Sequence, residues 1–197
     1  MLELGCGNGA TSRAVINCLP KVSLTGIVKK KQELRSCKRR VPEAKFNREK
    51  GPIFRFKPNT FEAVISLEGL RQFGNSIKLF KEILRILTPG GQIVFSDFLF
   101  DTNGTTGTVK NRNIAQNLYG IEAFLTSAGF HNCTTYDTTN ICWRGLQNHF
   151  YKTFSPKLIA REMSRDLFDL LIEQMPDKGI PVKTYYICTA TKKIQQP

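Results

Sequence analysis

The sequence predicts an α/β domain: a largely parallel sheet with helices on both faces. Three observations predict it. Short apolar or β-branched segments alternate with segments of helical period along most of the chain. Glycine and proline fall at the junctions between them. A glycine-rich turn, Gly5-Cys6-Gly7-Asn8-Gly9, closes the first apolar segment and opens the first helical one. Such a turn lets a ligand lie against bare backbone.

Met1–Leu4 is a short apolar strand, and Ala10–Leu19 has apolar residues at helical spacing until Pro20 stops it. Val22–Val28 reads as a strand, Gln32–Arg40 as a basic helix ending before Pro42, and Ala44–Arg48 as a short strand. After a loop over Gly51–Asn59, Phe61–Leu67 is a buried strand. Ile77–Leu87 is an amphipathic helix, stopped by the turn Thr88-Pro89-Gly90-Gly91 before the strand Gln92–Phe95. The polar stretch 101–117 is expected to be a mobile loop at a sheet edge. Tyr119–Ala128 is a helix closed by Gly129, and His131–Thr138 is a strand. Helices over Trp143–Phe154 and Pro156–Gln174 precede a last strand, Val182–Thr189. The whole chain, 1–197, is read as one domain with a helical insert at about 141–178.

Composition narrows the function classes. Hydrophobic residues at 41% and charged residues at 23% exclude a disordered chain. No apolar run reaches the length that spans a bilayer, and the N-terminus lacks the layout of a secretory signal. Six cysteines at irregular spacings form no CxxC pair and no Cys/His cluster, so no metal site or disulfide framework is expected. Reduced thiols in a cytoplasmic protein are expected instead. The net charge of +13 is concentrated: residues 21–57 hold 13 basic and three acidic residues. That segment is either a solvated basic face or an electrostatic footprint for nucleic acid or anionic membrane. Its aromatic residues, Phe46, Phe54 and Phe56, interleave poorly with the cations, which weakens the case for single-strand binding by stacking.

The glycine turn has further content. The helix behind it favours a carboxylate or phosphate, and Glu3 before it suits a cationic group. A ligand carrying both an ammonium and a carboxylate fits this pair better than a dinucleotide does. The third glycine also stands two residues after the second, not three as in the dinucleotide fingerprint.

Three collinear segments carry a family resemblance. Leu2-Glu3-Leu4-Gly5-Cys6-Gly7-Asn8-Gly9 resembles the first motif of the class I S-adenosylmethionine-dependent methyltransferases. Phe61–Glu68 resembles their fourth strand, and Ile83–Asp97 their helix, proline-glycine turn and fifth strand. The resemblance covers about Met1–Thr138 and is closest to the small-molecule branch, which includes sterol, tocopherol and quinone methyltransferases. Ser127-Ala128-Gly129-Phe130 is typical of that branch. It implies a three-layer, Rossmann-like fold whose seven-stranded sheet is mostly parallel with its last strand antiparallel.

The resemblance also implies a cofactor, S-adenosylmethionine, bordered by Glu3, Gly5, Cys6, Gly7, Asn8 and Gly9, with Ser66, Leu67 and Glu68 across from it. Two positions depart from the family. Where an acid normally takes the ribose hydroxyls stands Val28, followed by Lys29, which could meet the ribose edge as a donor. Near the adenine the local residues are Glu49 and Lys50. Arg71-Gln72 replaces a histidine pair often seen after the fourth strand. Family members also carry helices before the first motif, whereas this chain begins inside it, so either the sequence is a fragment or has a misassigned start, or cover for the site comes from elsewhere, with the helical insert as the candidate.

Methyl transfer is an in-line displacement that chiefly needs alignment and exclusion of water, with a base where the acceptor is oxygen. Candidate bases are Glu68, Asp97 and His149. The sequence thus predicts methylation of a small apolar or amphipathic metabolite. The alternative is a non-catalytic member of the fold that binds a partner or nucleic acid through segment 21–57.

Overall fold

The computed structural model describes residues 1–74, 77–100, 115, 117–167 and 182–194. Among these residues the strands are β1 (Leu2–Leu4), β2 (Thr25–Val28), β3 (Lys45–Arg48), β4 (Phe61–Leu67), β5 (Leu87–Phe100), β6 (Phe130–Asp137) and β7 (Val182–Lys192). They form a single sheet in the order β3-β2-β1-β4-β5-β7-β6. β1 to β5 pair in parallel, and β7 runs antiparallel to both β5 and β6. This is the mostly parallel sheet with a reversed last strand that the motifs implied.

Alternation along the strands sends successive side chains to opposite layers. Ile27 and Val28 are both fully buried, yet they join different cores. Ile27 belongs to the large core beneath α3 (Ile77–Ile86) and α4 (Leu118–Ala128). Leu79, Phe80, Ile83 and Ile86 cover that core from one face of α3, at the spacing that makes a helix stripe. Val28 instead packs with Cys6, Cys37, Val41 and Phe46 beneath α1 (Ala10–Cys18) and α2 (Lys31–Arg40). A third cluster, Phe98, Phe100, Trp143 and Phe150, lies where the end of β5 meets α5 (Arg144–Ile159).

Several boundaries differ from the sequence reading, each for a physical reason. β2 starts at Thr25 rather than Val22, because Val22 donates to the Leu19 carbonyl in a turn. β5 starts at Leu87, not Gln92: Phe61 pairs with Leu87, the next register pair is Ala63 with Gln92, and Thr88–Gly91 bulge out between them. The proline-glycine turn therefore interrupts a strand instead of preceding one. A π-helical turn, Thr139–Trp143, leads into α5, which continues through Pro156 rather than breaking there. Of the stretch 101–117 all but Ala115 and Asn117 lies outside the described residues, as does the insert beyond Leu167. No described helix is long and apolar enough to cross a membrane.

Candidate active site

The carboxyl ends of the parallel strands meet at one edge of the sheet, where ligands bind in open α/β folds. At the end of β1 the backbone turns through left-handed residues, Gly5 at φ +78° and Gly7 at φ +53°. The two glycines serve different ends. A Cβ on Gly5 would lie 2.5 Å from the Cα of Gly69, so this turn presses on the loop after β4. A Cβ on Gly7 would meet nothing within 4 Å, so its backbone borders open space. Asn8 accepts from the Ala10 amide at 3.1 Å and helps start α1.

Glu3 is buried behind this turn, and the Ser12 hydroxyl donates to its carboxylate at 2.5 Å. Burial pushes the Glu3 pKa above the usual carboxylate range, with the Ser12 and Cys6 hydrogen bonds acting against it. Cys6 points into the core: its thiol reaches the Ile27 carbonyl at 3.4 Å, and its hydrogen bond with Cys37, together with burial, raises its pKa. Cys37 donates to the Gly7 carbonyl at 3.3 Å, so α2 supports the turn from below.

The β2 end corrects an expectation. Val28 is wholly buried in the apolar cluster of Cys6, Cys37 and Phe46 and does not border the cleft. Lys29 does reach toward it: its ammonium donates to the Gln72 carbonyl at 2.6 Å, linking the end of β2 to the turn after β4. The Glu49 amide donates to the Val28 carbonyl at 3.1 Å, so Glu49 adjoins β2, with its carboxylate 4.0 Å from Arg55. Lys50 is exposed beside it.

Across the cleft, Ser66 is buried and its hydroxyl donates to the Leu4 carbonyl at 2.8 Å, which joins β4 to β1. Leu67 is exposed. Glu68 has a left-handed φ of +55°, which turns the chain sharply into Gly69. Its residue surface is exposed, yet desolvation of the carboxyl pushes its pKa up, with the Tyr185 hydrogen bond acting against this and the like charge of Asp97 adding to it. Tyr185 donates to Ser96 at 2.9 Å, and burial raises its own pKa to about 12. Asp97 is buried and engaged: Arg71 Nε donates to it at 2.5 Å and the Phe98 amide at 2.8 Å. Arg71 also donates to the Phe98 carbonyl at 2.6 Å and lies 4.7 Å from the Phe100 ring centre.

The structure therefore brings Glu68 and Asp97 together and leaves His149 aside. His149 is exposed on α5, and among the described residues it makes no hydrogen bond or ion pair with either carboxylate, while its neighbour Phe150 turns inward. Sequence reasoning missed Ser12, Gly69, Ser96 and Tyr185 as parts of this edge. Arg71 carried a signal, the departure from the family's histidine, but its partner Asp97 lies 26 residues away. Tyr185 carried none, because only the antiparallel pairing of β7 brings it beside Ser96.

These residues fit S-adenosylmethionine in part. The bare backbone and open space at Gly7 suit the methionine half, and the start of α1 favours its carboxylate. At the β2 end the fit fails, since Val28 presents no acceptor for ribose hydroxyls and no surface to the cleft.

Comparison with known proteins agrees with the geometry. A family model described as a methyltransferase domain matches residues 2–95. Phthiotriol/phenolphthiotriol dimycocerosates methyltransferase 1 of Mycobacterium ulcerans is 26% identical over 99 residues, covering 49% of this chain and 36% of the relative. Demethylmenaquinone methyltransferase of Renibacterium salmoninarum is 33% identical over 84 residues, covering 43% and 35%. The chain thus spans about a third of the length of these curated relatives. Among solved structures, phosphoethanolamine N-methyltransferase 2 of Haemonchus contortus, in complex with S-adenosyl-L-methionine, superposes with a TM-score of 0.77 at 19% identity, covering 98% of this chain and 48% of that one. Motifs, sheet order and family match converge: residues 2–95 match a methyltransferase domain, and the seven-stranded sheet has the fold of the S-adenosylmethionine-dependent methyltransferase structures it resembles.

Proposed function

We infer that the chain transfers a methyl group from S-adenosylmethionine to a small apolar or amphipathic metabolite. The observation that supports this best is the juxtaposition of two features at one sheet edge: the open turn at Gly7, and the raised carboxyl of Glu68 at the end of β4. S-adenosylmethionine, when bound, supplies a sulfonium methyl whose transfer leaves a neutral thioether. Gly5–Gly9 offers the backbone that orients the cofactor. Glu68 takes the proton from the acceptor, with the Tyr185 hydroxyl beside it. Arg71 and Asp97 act on position, holding the end of β5 and the Phe98–Phe100 rings. The aromatic cluster of Phe98, Phe100, Trp143 and Phe150 supports an apolar acceptor and a water-poor cleft. The names of the relatives, which act on a demethylmenaquinone and a phthiotriol, point the same way. Six free thiols suit a reducing, cytoplasmic setting.

One observation favours a second reading. The buried Val28 leaves the ribose without its usual acid, as expected of a non-catalytic member that works through the basic segment 21–57. Titration calorimetry and thermal shift with S-adenosylhomocysteine separate the two. Measurable heat and a raised melting temperature support the enzyme. Neither, at millimolar ligand, leaves the second reading.

A further inference from the structure

The rim of this sheet edge is both basic and apolar. β2 runs out into Lys30 and Lys31, and β3 into Lys50 and, beyond it, Arg55, all four exposed. Ile53 follows β3 with 73% of its surface open, and Ile141 follows β6 with 80% open. β3 and β6 stand at opposite ends of the sheet and point the same way, so the chain leaves both strands at the same edge. Single exposed apolar residues are ordinary; here Ile53 stands in the segment that carries all four cations.

The acids of the basic segment offset those cations only in part: Glu33 lies 3.9 Å from Lys30 and Glu49 4.0 Å from Arg55, and such exposed pairs are weak. Glu33 is held at the start of α2, where its carboxylate accepts from the Lys30 amide at 3.0 Å. Glu43 pairs with Arg13. Glu49 is half-buried. The polyanion this rim attracts is decided by the aromatic residues. Base stacking needs exposed rings, but Phe46 and Phe54 are 5% and 3% exposed, and Phe56 packs edge-on against Phe61 at 4.9 Å. Within the basic segment, cations together with an exposed aliphatic side chain, and no exposed ring, match a bilayer interface better than a nucleic acid.

We propose that this rim docks on an anionic lipid surface, with Ile53 and Ile141 entering the headgroup layer while Lys30, Lys31, Lys50 and Arg55 meet lipid phosphates. The docking rests on the surface alone. Its use, to pass an amphipathic acceptor from bilayer to cleft, rests on the methyl-transfer reading above.

Co-sedimentation of the full chain with phosphatidylcholine vesicles, with and without phosphatidylglycerol, tests it. Binding is expected only where phosphatidylglycerol is present, and is expected to weaken as salt screens the charges. Each lysine or arginine near such a surface is worth about fivefold in partitioning, so Lys31→Glu with Arg55→Glu is expected to lower it about 25-fold or more. Ile53→Asp is expected to lower it on its own. Circular dichroism and S-adenosylhomocysteine calorimetry on the same variants show that fold and cofactor site are intact, so their loss of partitioning reports docking. Calorimetry on the unmodified chain reports the methyl-transfer reading separately. Equal binding to neutral vesicles, no binding to anionic ones, or tighter binding to single-stranded RNA than to anionic vesicles would overturn the proposal.

Discussion

Gly5 and Gly69 pack with no room for a side chain on either. A Cβ on Gly5 would stand 2.5 Å from the Cα of Gly69, and one on Gly69 would stand 2.8 Å from the Cα of Gly5 and 2.3 Å from the Leu4 carbonyl oxygen. The neighbours are backbone, which cannot rotate away. Gly69→Ala is therefore expected to destabilise the fold by about 1–3 kcal/mol, read as a lower urea midpoint. An unchanged midpoint would show that the β1 turn and the β4 loop part more easily than their packing suggests.

Gly7→Val, three residues from β1, separates binding from folding. Its left-handed φ costs a β-branched residue about 1–2 kcal/mol, but the new side chain enters open space. The expected outcome is a folded variant, slightly less stable, whose S-adenosylhomocysteine affinity falls about tenfold or more, since the side chain fills the space that close backbone approach requires. Normal affinity in calorimetry would place the ligand elsewhere.

Val28→Asp, which would restore the family's ribose acid, is expected to harm the protein instead. The carboxyl would enter the cluster of Cys6, Cys37 and Phe46, where nothing solvates it. A buried carboxyl holds its proton more tightly folded than unfolded, so its effect on stability worsens as pH rises through the folded pKa. Denaturation midpoints are expected to fall below the unmodified protein's, and further at pH 8 than at pH 5. A rise in midpoint with tighter cofactor binding would show that this strand end opens to the cleft.

Glu68 makes a pH prediction for activity. A base works only when deprotonated, and its pKa is raised by desolvation. The acid limb of the rate profile is therefore expected above the pH at which an ordinary carboxylate titrates. Glu68→Gln is expected to remove that limb and lower kcat by about 10²–10⁴. A profile that keeps its limb in this variant assigns the base to another group.

Arg71→Met is expected to leave the buried Asp97 without its guanidinium, at a cost of about 3 kcal/mol. Arg71→Met combined with Asp97→Leu is expected to recover part of that loss, because the charge is removed along with its partner. Chemical denaturation of the single and double variants measures the coupling; additive losses would mean that the pair does not interact.

Local pattern was enough for the architecture. Helical and strand periods, the glycine turn after Leu4 and the apolar stripe of α3 are encoded within a few residues of one another, so strand–helix alternation and sheet class were readable from the chain alone. The same locality made Gly5–Gly9 and Glu68 visible as candidates. What the chain could not show is what depends on which strands become neighbours. Placing β7 between β5 and β6 carries Tyr185 to Ser96, 89 residues away in sequence. The parallel pairing of β1 with β4 sets Gly5 against Gly69, and the sheet edge brings Arg71 to Asp97. Val28 was misread for the same reason. Its position in a motif names a cleft residue, but the strand's alternation and the packing of α2 turn that position into core. Sequence by itself determined the periods that build the elements; tertiary structure alone decided which side chains face the cleft, because facing is a property of packed layers and not of any single segment.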